Sequence, residues 1–419
     1  MILLAHPTGN ANVRHAALAL VEHDLLTEFW TCVSWNPDLP INGLIPRPIR
    51  CQLERRALPE IVRNRVRHSP WREAGRMLAG QLGWESLIRH ESGPCSIDAV
   101  FRSLDRRVAH RLRHGAGVGG VYAYEDGASE SFAAAQALGI RRIYDLPIGY
   151  WRAAHAIYAE EAEREPEWAC TLTGMRDSRE KLDRKDAEIE LAETIIVASS
   201  FTKRTIESAR SCAAPIHVIP YGAPPPSPPV ERRETGQALR VLFAGSLGQR
   251  KGLSYLLRAV EMLGSRVELT LLGARVTANC RPLEAALARH RWISTLPNAG
   301  VLAEMSRQDV LVFPSLFEGF GLVLVEAMAQ GLPVIATPHT AAPDLIEDGR
   351  EGFIVPIRSA NAIAEKLDLL ACDSQLLSAM KNAAWATASR RRWETYHSQL
   401  ARAVQQAPPP LRESPPPDR

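Results

Sequence analysis

Residues 313–338, Phe-Pro-Ser-Leu-Phe-Glu-Gly-Phe-Gly-Leu-Val-Leu-Val-Glu-Ala-Met-Ala-Gln-Gly-Leu-Pro-Val-Ile-Ala-Thr-Pro, constrain the chain more than any other stretch. They follow on a short apolar run, 309–314, that reads as a buried parallel strand. A turn over 315–319 leads to a helix from about 320 to 330. Gly331 stops that helix, and 333–337 reads as the next strand. Two carboxylates mark this strand–loop–helix–strand unit: Glu318 just before the helix and Glu326 two turns into it. Eight helical residues turn through about 800°, so both can serve one cleft from different depths. Gly319 and Gly321 leave the backbone amides of Gly319, Phe320, Gly321 and Leu322 uncovered, and amides at a helix start favour an anion. A glutamate in a first turn commonly serves only the helix dipole. Glu326 is different, because it interrupts an apolar run, 322–329, where a carboxylate is rarely buried without a partner.

The Glu318/Glu326 pair with seven residues between, the Glu-Gly-Phe-Gly-Leu entry and the Gly-Leu-Pro-Val-Ile-Ala-Thr exit resemble the signature of retaining glycosyltransferases of family 4 (glycosyl transferases group 1). That family uses the GT-B fold. The resemblance covers 239–356 strongly and the remainder loosely. It implies an α/β chain of two doubly wound, Rossmann-like domains facing a cleft, with a nucleoside-diphosphate sugar as donor and no further cofactor.

Length and composition agree with this. At 419 residues there is room for two domains, and 46% hydrophobic with 23% charged residues describes an ordinary globular chain. A net charge of +3 does not point to nucleic acid. Seven cysteines without a Cys-x-x-Cys pair argue against a disulfide framework or a zinc site and for a reducing compartment. No apolar run reaches transmembrane length, and 1–5 reads as a first strand, not a signal peptide. The expected location is cytoplasmic, with a peripheral position at the inner membrane face as an extension. That extension rests on an arginine-rich stretch, 55–76, interleaved with Leu58, Ile61, Val62, Val66 and Trp71, and on a second cluster at Arg106, Arg107, Arg111 and Arg113. Such a basic amphipathic face suits an anionic membrane surface or an anionic acceptor, although it is more often simply solvated; Pro59 and Pro70 keep its helices short.

The first domain is expected over 1–220. Between its first strand and first helix, Gly9 and Asn10 suit an open loop, which in the resembled family faces the acceptor. Gly-Ala-Gly-Val-Gly-Gly at 115–120 fits Gly-x-Gly-x-x-Gly only formally: it precedes a strand instead of following one, so it reads as a turn. Strand 142–145 ends at Asp145, where the resembled family often presents a histidine near the reacting sugar. A long polar helical region, 155–193, follows, then strand 194–198 and a helix capped by Ser200 or Thr202. The proline-rich segment 221–238 is the expected linker. The second domain, 239–384, opens with strand 239–244 and the loop Gly245-Ser-Leu-Gly-Gln-Arg-Lys-Gly, whose glycines and adjacent Arg250 and Lys251 suit a diphosphate. The loop lacks a Walker ending. A segment over 385–405 is expected to pack back on the first domain, and 406–419, with six prolines, to be a disordered tail.

The roles implied are these. Arg250, Lys251 and the amides at 319–322 stabilise the leaving diphosphate, with Glu318 on the sugar hydroxyls and Glu326 on the ribose diol. Gly245 lets the diphosphate approach the backbone. No Asp-x-Asp pair occurs, so no metal is expected to bridge the phosphates. The acceptor is a hydroxyl on a glycan or lipid-linked glycan. Two alternatives use the same fold: an epimerase or hydrolase of nucleotide sugars, and a non-catalytic glycan- or nucleotide-binding partner.

Overall fold

The computed structural model describes residues 1–36, 50, 53–54, 56–209, 212–228 and 237–406. Within them, short apolar strands alternate with amphipathic helices and assemble into two parallel sheets. The first holds β1 (Ile2–Ala5), β2 (Leu26–Thr31), β3 (Val66–His68), β4 (Gly120–Tyr124), β5 (Arg141–Leu146), β6 (Thr194–Val197) and β7 (Ile216–Val218), in the order β3-β2-β1-β4-β5-β6-β7. The second holds β8 (Leu239–Ala244), β9 (Val267–Leu272), β10 (Arg291–Ile293), β11 (Val310–Phe313), β12 (Val334–Ala336) and β13 (Gly352–Ile354), in the order β10-β9-β8-β11-β12-β13. The paired strands of both sheets run parallel. Strands covered by helices on both faces read as continuous apolar runs, and Val310–Phe313 is buried at every position. The strand order reverses between β1 and β4 in one sheet and between β8 and β11 in the other. Loops at the carboxyl ends of those strands splay apart and open a crevice.

The halves are joined by more than a linker. Helix Trp151–Arg164 begins in the first half, where Tyr150 N–H donates to Thr205 Oγ1, and ends against the second. There Glu161, fully buried, accepts from Gln249 Nε2 at 2.6 Å, Tyr255 Oη at 2.8 Å and Arg358 Nε at 2.7 Å. The expected helical region 155–193 is in fact divided. Pro166, which cannot donate to a helix interior, follows the end of that helix, and two 3-10 turns, Pro166–Thr171 and Thr173–Arg176, precede helix Arg179–Leu191. The turns carry Trp168 into the core of the second half.

Two further segments cross between the halves side by side. Tyr221 and Ala223 are buried, and Ala223 N–H donates to Arg391 O at 2.7 Å. Residues 229–236 of the expected linker and 407–419 of the expected tail lie outside the described residues. Helix Ser374–Arg390 stays with the second half, where Lys381 Nζ meets Asp309 Oδ1 at 2.9 Å. The returning element is helix Trp393–Gln406, so the crossing falls at Arg391–Arg392 and not at residue 385. His15 stacks on Trp393 with ring centres 3.6 Å apart, and His397 Nδ1 lies 2.8 Å from Glu22 Oε2, which fastens that helix to helix Ala11–Glu22.

Candidate active site

The loop after β8 and the loop after β11 face each other across the switch point of the second sheet, and together they bring Arg250, Lys251 and Glu318 into contact. Lys251 Nζ and Arg250 Nη1 share Glu318 Oε2, the first as a tight ion pair and the second at 3.1 Å; Arg250 Nη1 also donates to Phe317 O at 3.1 Å. A carboxylate between two cations leaves the trio with one net positive charge, presented to the cleft. Burial, then the neighbouring Arg250 cation, pushes the Lys251 ammonium well below its ordinary value, and burial lowers Arg250 too. Contact with Glu318 opposes that push. Lys251 also lies 4.5 Å from the centre of the Phe313 ring.

A cavity of about 270 Å³ lies beside the trio, with walls from both halves. Gly245, Lys251, Glu318, Phe320, Gly321 and Leu322 form the second-domain side. Asn10, Asn12, Pro147 and Tyr221 close it from the first. Gly321 sits at φ 82°, a left-handed turn that glycine adopts without strain, and helix Leu322–Ala329 starts immediately after it. Glu326 is four residues on from Leu322 and three from Val323, which also lines the cavity, so it shares their helix face one turn deeper. It is half-buried, its Oε1 accepts from Asn298 Nδ2 at 3.3 Å, and burial raises its carboxyl above the usual range while the Asn298 bond opposes the rise. A second cavity of about 240 Å³ lies on the other side of Lys251, between Ser246, Thr171 and Thr173, and it is this one, not the first, that Arg250 lines. A larger hollow of about 610 Å³ beside Tyr255, Arg258 and Arg358 shares no residue with either.

Three expectations change. Gly319 is not open to the cavity: it is pressed against the first half, where an added Cβ would stand 2.6 Å from the Pro147 carbonyl carbon. Its own carbonyl accepts from Ser199 Oγ and, at 3.2 Å, from Thr202 Oγ1. Gly319 is therefore a clasp between the halves, while Phe320, Gly321 and Leu322 remain at the cavity. Second, the cap of helix Ser200–Ala209 is Ser199, whose Oγ accepts from Thr202 N–H at 3.1 Å; neither Ser200 nor Thr202 takes that role. Third, Asp145 does not reach the cavity. Its carboxyl is buried, Tyr122 Oη donates to it at 2.6 Å, and burial pushes it up to about 7 against that hydroxyl bond. The first-domain contact at that strand end is Pro147 instead.

Asn10 lines the cavity and caps helix Ala11–Glu22, accepting from Val13 N–H. Gly9, at φ 57°, lies just behind, its N–H donating to His6 Nδ1 at 3.2 Å, as Thr8 N–H does at 3.1 Å. Burial takes His6 down to about 3, so the ring is neutral and can accept both bonds, which fixes the loop. Sequence reasoning missed Asn12 and Tyr221, whose Nδ2 and Oη are 3.2 Å apart in the cavity wall. The only signal for Tyr221 was its place beside Pro220 in the presumed linker.

Residues 230–387 match the family model described as glycosyl transferases group 1. Over that segment the chain is similar to glycosyl transferases of group 1. Among curated relatives, it is 36% identical over 172 residues to a phosphatidyl-myo-inositol mannosyltransferase of Mycobacterium leprae, covering 39% of this chain and 46% of that one. It is 28% identical over 262 residues to a D-inositol 3-phosphate glycosyltransferase of Corynebacterium jeikeium, covering 56% of this chain and 62% of the relative. The chain thus spans less than two thirds of these relatives' length. Similar solved structures cover nearly all of it. Sucrose-phosphate synthase from Thermosynechococcus elongatus superposes with a TM-score of 0.66 at 18% identity, over 97% of this chain and 98% of that one. HepE of Anabaena in complex with UDP-glucose superposes with 0.61 at 17% identity, over 96% and 99%. The fold is GT-B, as the group 1 signature implied.

Proposed function

We propose that the chain transfers a hexose from a nucleoside-diphosphate sugar to a hydroxyl acceptor, with retention of anomeric configuration and without a bridging metal ion. One observation carries the reading: Lys251, Glu318 and the start of helix Leu322–Ala329 meet at a cavity walled by both halves at their strands' carboxyl ends, and Arg250, which shares Glu318 with Lys251, lines the adjoining cavity. That is where an open parallel sheet binds ligands. Breaking the anomeric C–O bond leaves charge on the diphosphate, and fixed cations with helix-start amides stabilise charge where it develops. Two cations already in position, in a sequence without an Asp-x-Asp pair, favour the metal-independent form. In the reaction, the C–O bond to the diphosphate breaks while a C–O bond to the acceptor forms on the same face. The acceptor proton passes to the leaving phosphate oxygen.

Donor entry rearranges the trio. Glu318 exchanges a cation for sugar hydroxyls, and the freed cation meets phosphate. The nucleoside lies along the helix toward Glu326, whose carboxylate accepts from the ribose diol while Asn298 holds its other side. A cavity of 270 Å³ is at the small end for such a ligand, so donor binding requires the clasp at Gly319 to relax and re-form. UDP and UDP-glucose occupy the HepE complexes, which supports a nucleotide-sugar donor here. The test is product analysis with UDP-, GDP- and ADP-sugars over a panel of acceptors, reading the anomeric coupling of the product by NMR. A retained linkage is expected. Inversion would remove the mechanism, donor hydrolysis or epimerisation without acceptor would favour the alternative enzymes, and diphosphate binding without turnover would favour a binding partner.

A further inference from the structure

Helix Trp71–Leu82 has its polarity inverted. Its buried side carries Glu73, fully covered, whose carboxylate is held by Arg56 and by Arg76 Nε and Nη2, each at 2.7 Å. At 100° per residue, Trp71, Leu78 and Leu82 fall within about 40° of one another on the opposite face. They are 78%, 51% and 51% exposed, and Trp84, just past the left-handed Gly83 that ends the helix, is 51% exposed. A surface helix of a globular domain turns such residues inward. An outward stripe of tryptophan and leucine marks a surface that meets something apolar.

Charge identifies what that is. Residues 60–90 contain six arginines and three glutamates, an excess of +3 that equals the net charge of all 419 residues. Arg67 and Arg89 are exposed on the elements that flank the helix. Apolar side chains including tryptophan, set among arginines, match the boundary between acyl chains and anionic headgroups. The helix also has an inner function. Arg76, Met77, Gly80 and Gln81 turn toward a hollow of about 520 Å³, closed on its other side by Thr8, Asn10 and Arg56. Asn10 borders both this hollow and the interdomain cavity, so a molecule resting in the first reaches the second.

We propose that Trp71, Leu78, Leu82 and Trp84 dock the first domain on an anionic phospholipid bilayer, and that the hollow behind the helix receives the acceptor from the lipid phase. The acceptor half rests on the transferase reading; the docking half does not. The docking test is flotation of the full chain with phosphatidylcholine vesicles, with and without about 30% phosphatidylglycerol. The protein should float with the anionic vesicles only, and Trp71→Ser/Leu78→Ser should reduce its partitioning about tenfold or more. Because these side chains are exposed, the variant should keep its melting temperature. Arg67→Glu/Arg89→Glu should weaken anionic binding without touching the apolar stripe. No flotation of the wild type, or equal flotation of the serine variant, overturns docking; so does a wild-type dimer that the serine variant converts to monomer without any vesicle binding. For the acceptor, labelled donor sugar should enter the organic phase when total polar lipids are supplied. Label confined to water-soluble glycan overturns that half and leaves both docking and transfer standing.

Discussion

Gly319→Ala isolates the contribution of domain closure. The new Cβ would stand 2.6 Å from the Pro147 carbonyl carbon and 2.7 Å from Ile148 Cα, and closer still to the Pro147 oxygen. Every one of these is backbone, so no side chain can swing away. Either half can fold with alanine at 319, because the obstruction comes from the other half. The strain is relieved by parting the domains there, which lengthens the Ser199 and Thr202 bonds to the Gly319 carbonyl. Overpacking of this kind costs about 1–3 kcal/mol. If closure assembles the site, kcat/KM falls by about five- to 150-fold. The assay pairs donor turnover with small-angle scattering, in which the variant should show a larger radius of gyration and a melting curve that still reports two folded domains. Unchanged turnover together with an unchanged radius would refute the argument that Gly319 is a closure contact.

Lys251→Ala should lower turnover by at least about tenfold, given a charged hydrogen bond at roughly 1.5–3 kcal/mol, in steady-state kinetics with saturating donor; unchanged turnover removes the residue from the mechanism. Glu326→Gln should raise the Kd for the nucleoside diphosphate more than the Kd for inorganic diphosphate in calorimetry, and equal effects would place Glu326 away from the ribose. Glu161→Ala removes the buried acceptor shared by Gln249 and Tyr255 and leaves Arg358 with Glu160 alone, and should destabilise the fold by roughly 1–3 kcal/mol in denaturant melts; a loss below about 0.5 kcal/mol would show the tie to be idle. Asp145, raised to about 7, contributes stability that is present below the ordinary carboxylate value and is lost as pH rises through about 7. The melting temperature of Asp145→Asn relative to wild type should therefore climb through that window and level off above it, whereas a pH-independent difference would mean that Asp145 does not titrate there.

What the sequence made legible, and what it did not, divides along one physical line. Periodicity and glycine placement are local signals, so β8, β11, β12 and the helix between Gly321 and Gly331 could be read within a residue or two. Arg250, Lys251 and Glu318 were separate candidates, and the sheet's strand order is what brings them together. The short edge strands Val66–His68, Ile216–Val218 and Arg291–Ile293 were not read, because three residues carry too little pattern to stand out. Contacts between the halves left no local trace. Gly319 looked like an opening for an anion because its glycine was visible and the opposing Pro147 carbonyl was not. Asp145 looked available at a strand end because nothing in sequence showed Tyr122 standing over it. The inverted face of helix Trp71–Leu82 was visible as basic and aromatic, but which side faced outward depended on Glu73 being drawn in by Arg56 from an earlier segment.

The central claim is that a nucleoside diphosphate lies against Lys251 and Arg250. Isothermal titration of wild type, Lys251→Ala and Arg250→Ala with UDP, GDP and ADP tests it most directly. One of the three nucleotides should bind the wild type, with each substitution weakening it by about tenfold or more. Wild-type protein that takes up none of them, or variants that bind as tightly as the parent, would contradict the account.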